Sequence, residues 1–496
     1  MVRTRTVVGV NALPVIVEVH LANGLPAFST VGLPEAAVRE SKGRVRGAIL
    51  NCGFEFPAKR ITVNLSPADL PKTGSRFDLP IAIGILVASG QIKDVDLDQY
   101  EFVGELALDG QIRKISGVLP TALRSHQARK QLVVPQENFK EASLVAQSSA
   151  LSGTHLLEVC RHLCGQEELL QCKAEQRLGS PIRYPDLREV KGQPHAKRAL
   201  EVAAAGGHSL LMMGPPGTGK SMLAARMPGL LPVLSDDEAI QSAAIQSVAK
   251  VDFGIESWKE RPIRSPHHSA SAVALVGGGS NPRPGEVSLA HNGILFLDEL
   301  TEFSRVALEQ LREPLETGVV NIARANHNTQ FPAKFMLVAA CNPCKCGYAG
   351  DGTNRCQCSI ADIERYRAKL SGPLLDRIDI HLKLHRLDIR DMHLQEPASE
   401  SSEAIRARVT DVRDWQTKHR GKLNCDLSGE EIDGYCSLNA SQLDFFTRVC
   451  DKLNLSARAY HRILRLARTI ADMEGANQIA TSHLSEAIGY RGLDRM

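Results

Sequence analysis

The chain has 496 residues, of which 43% are hydrophobic and 23% are charged, and its formal net charge is +3. The longest apolar run, residues 79–88, is too short to span a bilayer, which argues against a membrane protein. Twelve cysteines without an evident secretory signal favour a reduced, cytoplasmic protein, and the mild positive charge neither requires nor excludes a nucleic acid partner.

The front region, residues 1–165, has the length of one domain and alternates strand-like with helical segments. Residues 15–19 and 61–65 are strand-like runs rich in Val, Ile and Leu. Two further segments, residues 71–79 and 104–113, resemble the proteolytic domain of Lon protease. The resemblance implies an α+β fold for this region.

The catalytic residues of that protease domain are not matched. Arg76 stands at the position of the nucleophilic serine, and Leu119 stands near the position of the catalytic lysine. Without a nucleophile and its base there is no acyl-enzyme chemistry, so we predict a non-proteolytic domain. Ser75 with Lys72 or Lys114 is an alternative dyad that would need supporting geometry.

A non-proteolytic front domain would serve ring assembly or DNA contact. Its basic residues lie close together on a predicted helix, where they suit phosphate groups, although a solvated surface helix fits the same pattern. These residues are Arg39, Lys42, Arg44 and Arg46. Residues 166–182 are polar and predict a linker to the rest of the chain.

A complete P-loop pattern lies between a strand-like run at residues 209–213 and a helical segment that begins at Met222. Loop N–H groups of this kind cradle phosphates, while the final Lys and Ser reach the β/γ-phosphates and Mg²⁺. An ordinary Gly/Pro-rich turn would not need that Lys-Ser pair. The predicted ATP ligands are Gly214, Pro215, Pro216, Gly217, Thr218, Gly219, Lys220 and Ser221, with Ser221 also on Mg²⁺.

Two acidic residues end the next buried strand. The continuous apolar run at residues 293–297 is typical of a parallel strand covered on both faces, and Asp298 and Glu299 follow it. Beside a P-loop, Asp298 is predicted to hold Mg²⁺ through water and Glu299 to polarise the attacking water. A solvated helix start is the alternative for an isolated Asp-Glu pair.

A third apolar strand, residues 335–340, runs out before Asn342, whose amide would orient water against the γ-phosphate. Parallel sheets bind ligands at the carboxyl ends of their strands, where all three polar clusters fall. The predicted fold class is therefore α/β, with a P-loop parallel sheet as its core. An Ala-rich segment stopped by two glycines, residues 192–207, predicts a helix before the P-loop.

Two segments between these strands are candidates for gripping nucleic acid. Residues 261–291 are too long and Gly-rich for a plain connection, and residues 318–332 read as a strand-turn-strand. Both would contact phosphates without reading sequence, and subunit packing is the alternative role. The DNA-binding candidates are Arg264, His267, His268, Arg283 and Arg324.

Five of the cysteines fall within eighteen residues of one another, at residues 341–358. Two Cys-x-Cys pairs flank a Gly-rich turn, so four thiolates can converge tetrahedrally on Zn²⁺. The predicted structural zinc ligands are Cys344, Cys346, Cys356 and Cys358. Cys341 is an alternative ligand because it stands in a Cys-x₂-Cys relation to Cys344, and free thiols are the other interpretation.

The order of these motifs resembles the AAA+ ATPases, and the segments 374–379 and 265–269 resemble the magnesium-chelatase-like branch, which is related to the MCM helicases. The resemblance implies that Asn342 is sensor 1, Arg377 an arginine finger acting on a neighbouring subunit, and Arg458 sensor 2. It also places residues 184–190 against the base. A salt bridge to Asp376 or Asp379 is the alternative role for Arg377.

The resemblance divides the chain into a Lon-protease-like domain at 1–165, a linker at 166–182, an AAA+ core at 183–390 and an α-helical lid at 391–496. Apolar residues at helical spacing in residues 459–473 and 482–488 favour an all-α lid. The combination of front domain, ATPase core and cysteine cluster resembles the YifB/ComM competence-protein family.

That resemblance implies a hexameric, ATP-driven helicase or translocase that acts on single-stranded, forked or branched DNA, with branch-migration activity on recombination intermediates during natural transformation. The rivals are a protein-remodelling AAA+ ATPase and a chelatase-like motor. Protein-remodelling pores usually carry an aromatic-hydrophobic pair, whereas the candidate segments here are rich in Arg, His and Asn. That difference favours DNA.

Overall fold

The structure, a computed structural model, describes residues 1–32, 35–93, 95–145, 150–172, 184–249, 251, 258–279, 282–324, 327–386, 400–453 and 455–491. The chain divides into two compact units. The first comprises Met1–Ser180, Ala239–Trp258 and Ala323–Phe331, and the second comprises Pro181–Glu238, Lys259–Ile322 and Pro332–Met496. The predicted domain boundaries stay predictions, and much of the predicted linker lies outside the described residues.

A mixed four-stranded sheet, in the order β1-β2-β4-β3, begins the first unit. Its strands are β1 (Val2–Val8), β2 (Asn11–Ala22), β3 (Ala27–Val31) and β4 (Arg60–Ser66), and its neighbouring helices are α1 (Ala36–Arg39), α2 (Ser41–Asn51) and α3 (Asp78–Ala88). Strand β4 alternates buried with partly exposed residues, as expected for a sheet with one buried face. Helix α3, by contrast, is buried along nearly its whole length, which explains its continuous apolar sequence.

A second four-stranded sheet, in the order β10-β9-β8-β5, completes this unit with a small hairpin. The elements are β5 (Tyr100–Phe102), β6 (Glu105–Leu106), β7 (Ile112–Arg113), α4 (Val118–Gln127), β8 (Gln131–Pro135), α5 (Phe139–Ala142), β9 (Leu151–Gly153), α6 (Leu156–Leu163) and β10 (Leu170–Gln171). Mixed sheets with helices make this unit α+β, as the sequence predicts.

The second unit is built on a five-stranded sheet in the order β12-β15-β18-β11-β19, and all of its strand pairs are parallel. The strands are β11 (Leu210–Met213), β12 (Ile263–Arg264), β15 (Ile294–Leu297), β18 (Met336–Cys341) and β19 (Ile380–Lys383). The three central strands are almost wholly buried because helices cover both faces of a parallel sheet. The α/β prediction is confirmed.

Helices and short strands precede and connect the strands of this sheet. They are α7 (Pro194–Gly206), α8 (Lys220–Ala224), α9 (Asp236–Ala249), α10 (Ala272–Val276), β13 (Gly277–Gly278), β14 (Arg283–Pro284), α11 (Glu286–Leu289), α12 (Arg305–Gln310), α13 (Arg312–Thr317), β16 (Val319–Arg324), β17 (His327–Pro332), α14 (Ile360–Arg367) and α15 (Gly372–Leu375). The predicted helix before the P-loop is α7, and Gly207, with φ +75°, ends it in the left-handed conformation.

The C-terminal part of the second unit is helical over its described residues. Its helices are α16 (Ser402–Arg420), α17 (Gly429–Tyr435), α18 (Ala440–Leu453), α19 (Ala457–Met473) and α20 (Thr481–Gly489). Side-chain oxygens of Ser401, Ser428 and Ser456 cap the first, second and fourth of these helices at their N-termini. The prediction of an all-α lid is confirmed for the described part of 391–496.

Candidate nucleotide site and cysteine cluster

The backbone of the P-loop takes conformations at two positions that only glycine adopts without strain. Gly217 and Gly219 have φ of +79° and +89°, in the left-handed region that favours glycine. A Cβ on Gly214 would lie 2.8 Å from the carbonyl oxygen of Leu384, so this position has no room for a side chain. The hydroxyl of Thr218 donates to the carbonyl oxygen of Pro215 at 2.9 Å and closes the loop.

Lys220 connects the loop to the neighbouring strand. Its Nζ donates to the carbonyl oxygens of Gly214 at 2.6 Å and Pro215 at 3.0 Å, and to Oδ1 of Asn342 at 3.1 Å. Strand pairing explains this contact: Met213 of β11 is in register with Cys341 of β18, so the residues that follow the two strands meet. All three oxygens are neutral, and burial lowers the pKa of Lys220. A half-buried ammonium group among neutral oxygens fits an anionic ligand such as a triphosphate.

Ser221 and Asp298 form the oxygen pair expected of a magnesium site. The Ser221 hydroxyl donates to Oδ2 of Asp298 at 2.7 Å, and Oδ1 of Asp298 accepts from the backbone N–H of Glu299 at 2.9 Å. Hydroxyl and carboxylate oxygens are the ligands Mg²⁺ prefers, so these residues fit the ion. When bound there, Mg²⁺ would neutralise charge on the phosphate oxygens.

Glu299 has an uncommon backbone conformation, with φ +51°, and a half-exposed side chain. Residues other than glycine rarely take positive φ, and they do so most often at functional sites. Nδ1 of His268 lies 3.2 Å from Oε2 of Glu299. Sequence reasoning placed His268 among the DNA-binding candidates, whereas the contact in the structure is with the candidate catalytic carboxylate.

Strand order explains why the contact between His268 and Glu299 was missed. Strands β12 and β15 are parallel neighbours, so the segment that follows Arg264 and the Asp298-Glu299 pair leave the sheet at the same edge. The sequence signal for this contact was the short strand β12, in which an apolar residue is followed by Arg264 directly before the histidine segment. The ring of His267 lies against that of His268, with centroids 4.1 Å apart and the planes tilted by 34°, and His267 is itself exposed.

The other DNA-binding candidates occupy different environments. Arg264 forms a two-pronged ion pair with Glu286, at 2.5 and 2.9 Å, so its guanidinium is already occupied. Arg283 is exposed on β14. Arg324 ends β16, and its side chain lies outside the described part of the chain. In the following strand, the carbonyl oxygen of Gln330 lies close to Gly9.

Arg377 is nearly buried and pairs with Glu316, and it also donates to the carbonyl oxygen of Pro373 at 2.9 Å. Within the described residues, the ion-pair partner of Arg377 is Glu316 and not Asp376 or Asp379, the two alternatives given by the sequence. Its predicted action on a neighbouring subunit stays a prediction, and that action would require the pair with Glu316 to open.

Arg458 is exposed in the first turn of α19. In the same helix, Arg462 forms an ion pair with Asp379. Burial alone would raise the pKa of Asp379. Arg462 and His208 together nevertheless hold that pKa well below its usual range. The lid helix that carries the sensor 2 candidate is thus tied to the residue that precedes β19.

The segment expected to hold the base is tied to the lid as well. The backbone N–H of Leu187 donates to the Ser402 hydroxyl at 2.7 Å, and Oδ1 of Asp186 accepts from the backbone N–H of Ser402 at 2.8 Å. Leu187 and Val190 are buried in the core. Contact of residues 184–190 with a base stays a prediction.

The four predicted zinc ligands come together. The Sγ atoms of Cys344 and Cys346 are 3.3 Å apart, those of Cys344 and Cys356 are 3.8 Å apart, and those of Cys346 and Cys356 are 3.6 Å apart. With Cys358, all four sulfurs lie within 4.8 Å of one another. Tetrahedral coordination at about 2.3 Å per Zn–S bond places sulfurs about 3.8 Å apart, so the donor set fits one Zn²⁺ ion.

Cys341, the alternative ligand, is not part of this group. It is the last residue of β18 and is buried beneath the P-loop, where burial raises the pKa of its thiol to about 12. Within the four-cysteine group, several hydrogen bonds lower the pKa of Cys346 to about 6. The bond with the backbone of Tyr348 has the largest effect. A thiolate is the form that binds metal.

In the Lon-like segments of the first unit, the side chains of Lys72, Ser75 and Arg76 bind neighbouring groups of the protein. Arg76 is buried and donates to the carbonyl oxygen of Ser116, and burial lowers its pKa to about 10. The Ser75 hydroxyl donates to Glu105, and Lys72 donates to the carbonyl oxygen of Pro67. These hydrogen bonds of Ser75 and Lys72 do not connect the two residues, as the alternative dyad would require.

Arg44, one of the four clustered basic residues, also has a structural partner. It pairs with the buried Asp78 at 2.6 and 3.2 Å, and it lies on α2, whereas Arg39 ends the separate helix α1. The prediction of a single basic helix face is wrong in this respect, because the chain forms two helices with Glu40 between them. Within the described residues, no helix is both long and apolar enough to cross a membrane.

A P-loop at the carboxyl edge of a five-stranded parallel sheet, with a helical lid, is the architecture of an AAA+ protein. The family described as magnesium chelatase, subunit ChlI, matches residues 186–392, the subunit ChlI family of Mg-chelatase matches residues 17–138, and the C-terminal family of the same subunit matches residues 399–491. The competence protein ComM of Haemophilus influenzae is 49% identical, over 100% of this chain and 98% of that protein. YifB of Salmonella typhimurium is 47% identical, over 100% of this chain and 97% of that protein. The chain therefore belongs to the ComM/YifB family of magnesium-chelatase-like AAA+ proteins.

Two weaker similarities cover parts of larger proteins. Lon protease 2 of Bacillus subtilis is 27% identical over 34% of this chain and 32% of its own length, which agrees with the Lon-like fold of the front region. The DNA replication licensing factor Mcm6 of Drosophila melanogaster is 20% identical over 86% of this chain and 54% of its own length.

Proposed function

We propose that the protein is an ATP-hydrolysing DNA motor that works as a ring, with helicase or branch-migration activity on recombination intermediates during natural transformation. The observation that carries the ATPase part is the assembly of Lys220, Asn342, Ser221, Asp298 and Glu299 at one edge of the sheet. The name of the competence protein ComM and the likeness to Mcm6 support the DNA part.

In this proposal each residue at the sheet edge has one task. Lys220 and the loop N–H groups bind the phosphates, and Ser221 with Asp298 holds Mg²⁺. Glu299 accepts a proton from the attacking water, and His268 keeps its carboxylate oriented. Asn342 fixes the water and γ-phosphate relative to Lys220.

The ring is proposed from Arg377. A buried arginine that pairs with the half-exposed Glu316 is available to a neighbouring subunit only after that pair opens. Subunit contact would thereby become a condition for hydrolysis, since an arginine at the transferring phosphoryl group contributes several orders of magnitude in rate. We propose a hexamer in the cytoplasm, with Arg458 acting from the lid.

The DNA contact is proposed to be local and electrostatic. Arg283 and His267 are exposed on the segment between β12 and β15, and they would contact phosphates without reading base sequence. Arg264 is a weaker candidate than the sequence suggested, because Glu286 already neutralises it. Arg324 stays a candidate on sequence grounds alone.

The test is the ATPase rate of the purified protein, with and without single-stranded DNA, forked DNA and an unfolded protein, at two salt concentrations. A stimulation by DNA that falls with salt supports the proposal and leads to strand-displacement and branch-migration assays. Stimulation by unfolded protein alone would replace it with a protein-remodelling function. A rate that no polymer changes would favour a chelatase-like motor.

We also infer that the cysteine cluster holds a structural Zn²⁺ ion. The sulfur separations support a single tetrahedral ion. Metal analysis of the purified protein should give one zinc per chain. Replacement of Cys358 by Ser should lower that content, whereas replacement of the exposed Cys164 by Ser should leave it unchanged. Iron with visible absorption would instead indicate an iron-sulfur site.

A further inference from the structure

The loop that carries the cysteine cluster lies directly against the P-loop. Gly347, between the second and third ligands in sequence, has φ +88°. A Cβ built on it would lie 2.8 Å from both Cδ and Cγ of Pro216. Real Cβ atoms essentially never come that close to another heavy atom, so the backbone of Gly347 packs on the proline ring of the P-loop.

A second connection runs through the chain itself. Asn342, which accepts a hydrogen bond from Lys220, stands two residues before Cys344. Between them, the carbonyl oxygen of Pro343 accepts from Nε of Arg367 at 3.2 Å. The cluster is therefore joined to Lys220 by the chain from Cys344 to Asn342 and one hydrogen bond, and to the ring of Pro216 by the packing of Gly347.

Local contacts between exposed or partly exposed residues shape the cysteine loop: the Asp351 carboxylate accepts from the backbone N–H and the hydroxyl of Thr353, and Arg355 lies over the ring of Tyr348. Cys344 is buried, but the other three ligands are only partly buried, and residues 352–355 between them are exposed. Within the loop, the backbone N–H of Gly347 donates to the carbonyl oxygen of Cys344 at 3.0 Å, and the backbone N–H of Ala349 donates to Sγ of Cys344 at 3.3 Å. Metal binding at such a site supplies the folding free energy that a small apolar core would otherwise provide.

We propose that zinc in the cysteine cluster sets the position of Gly347 and Asn342 against the P-loop, so that nucleotide affinity depends on the metal. This inference rests on two proposals made above, namely that the P-loop binds a nucleotide and that the cysteine cluster holds zinc. The metal takes no part in the reaction. Its role is to fix the position of Gly347, which contacts Pro216 of the P-loop.

The first experiment compares nucleotide binding by the zinc-loaded and zinc-depleted full-length protein. Zinc is removed with a chelator, the chelator is dialysed away, Mg²⁺ is restored, and the dissociation constant of Mg-ADP is measured by calorimetry. We expect affinity to fall about tenfold on depletion and to return on addition of Zn²⁺. Circular dichroism in the far ultraviolet checks that the chain stays folded.

The second experiment keeps the metal and disturbs the contact. Gly347→Ala should weaken Mg-ADP binding about tenfold with zinc content unchanged, because the added methyl group must displace Pro216. Gly350→Ala is the matched control: its φ is also positive, +73°, but no heavy atom lies within 4 Å of its ideal Cβ. It should cause the same backbone strain without the loss of affinity.

The outcomes separate the proposals. If the wild-type protein binds no nucleotide at all, the proposed ATPase function fails first. If it binds nucleotide equally well with and without zinc, or if Gly350→Ala weakens binding as much as Gly347→Ala, the coupling is overturned while the ATPase function survives. If no metal is bound in any preparation, the metal-dependent role is overturned as well.

Discussion

The two regions with family-like motifs use their charged groups in opposite ways. In the Lon-like front region, Arg76 donates to a backbone carbonyl and Arg44 to the buried Asp78, so both cations support the fold. At the P-loop, the oxygens that accept from Lys220 among the described residues are all neutral. These partners fit an anion-binding role for Lys220 and a structural role for Arg76 and Arg44.

The strongest test of this contrast is removal of the P-loop lysine. Lys220→Ala should lower nucleotide affinity or turnover by about a thousandfold, because the charge that faces the phosphates is lost. Equilibrium binding of Mg-ATP and steady-state phosphate release measure the two effects. Ser75→Ala, in the Lon-like segment, should change neither quantity, and a comparable loss there would remove the distinction between the two regions.

The arginine predicted to act between subunits gives the next largest effect. Arg377→Ala should leave Mg-ATP binding intact and lower hydrolysis by about a thousandfold. Glu299→Gln should likewise bind ATP without hydrolysing it. Mixing the two inactive proteins should restore part of the ATPase rate, since some sites then contain both groups. Failure of every mixing ratio would count against a site shared between subunits.

The two regions should also respond to acid in opposite directions. In the second unit, burial and the nearby Lys334 lower the pKa of His291 to about 4, below its unfolded value of about 6.5, so the stability it contributes is full above pH 6.5 and is lost as pH falls towards 4. In the first unit, burial raises the pKa of Asp78 to about 6 despite the pairing with Arg44, so the stability it contributes is present at low pH and is lost as pH rises through about 6.

Thermal unfolding between pH 4.5 and 7.5 measures both slopes. His291→Asn should flatten the acid-side loss, which amounts to at most about 3 kcal/mol, because asparagine can accept the hydrogen bond from the Lys334 backbone without titrating. Asp78→Asn should remove the opposite slope. Identical pH profiles for wild type and both variants would contradict the assignment.

The smallest predicted effect concerns the orientation of Glu299. His268→Ala should lower kcat about tenfold with little change in Mg-ATP affinity, because it removes the contact that positions the carboxylate. His267→Ala is the control, since His267 neighbours His268 but hydrogen-bonds to Ser269 instead of Glu299. It should leave the basal rate near wild type. Equal losses would indicate that the whole segment was disturbed.

Much of the nucleotide site was predictable from sequence because glycine spacing and strand ends have few structural solutions. Asn342 could be placed at the sheet edge from the apolar run before it, but its hydrogen bond to Lys220 depends on β11 and β18 being neighbours, which chain order does not reveal. The contact between His268 and Glu299 depends on the pairing of β12 with β15 in the same way.

Long-range partners account for the other differences. Arg377 was expected to act on a neighbouring subunit or to pair with Asp376 or Asp379, and its partner Glu316 is 61 residues away in sequence. Arg44 was grouped with its basic neighbours, and its partner Asp78 is 34 residues away. Local patterns predict helices, strands and loop chemistry well, whereas the choice among distant charged partners is decided by packing.

One carboxylate links the helical lid to the strand that carries the P-loop. Oδ2 of Asp379 accepts from the backbone N–H of Ser209 at 3.1 Å, and Arg462 of α19 pairs with the same side chain. Ser209 stands directly before β11, five residues from Gly214. Asp379 therefore joins α19 to the start of β11, and we expect a displacement of the lid helix to shift the strand that precedes the P-loop.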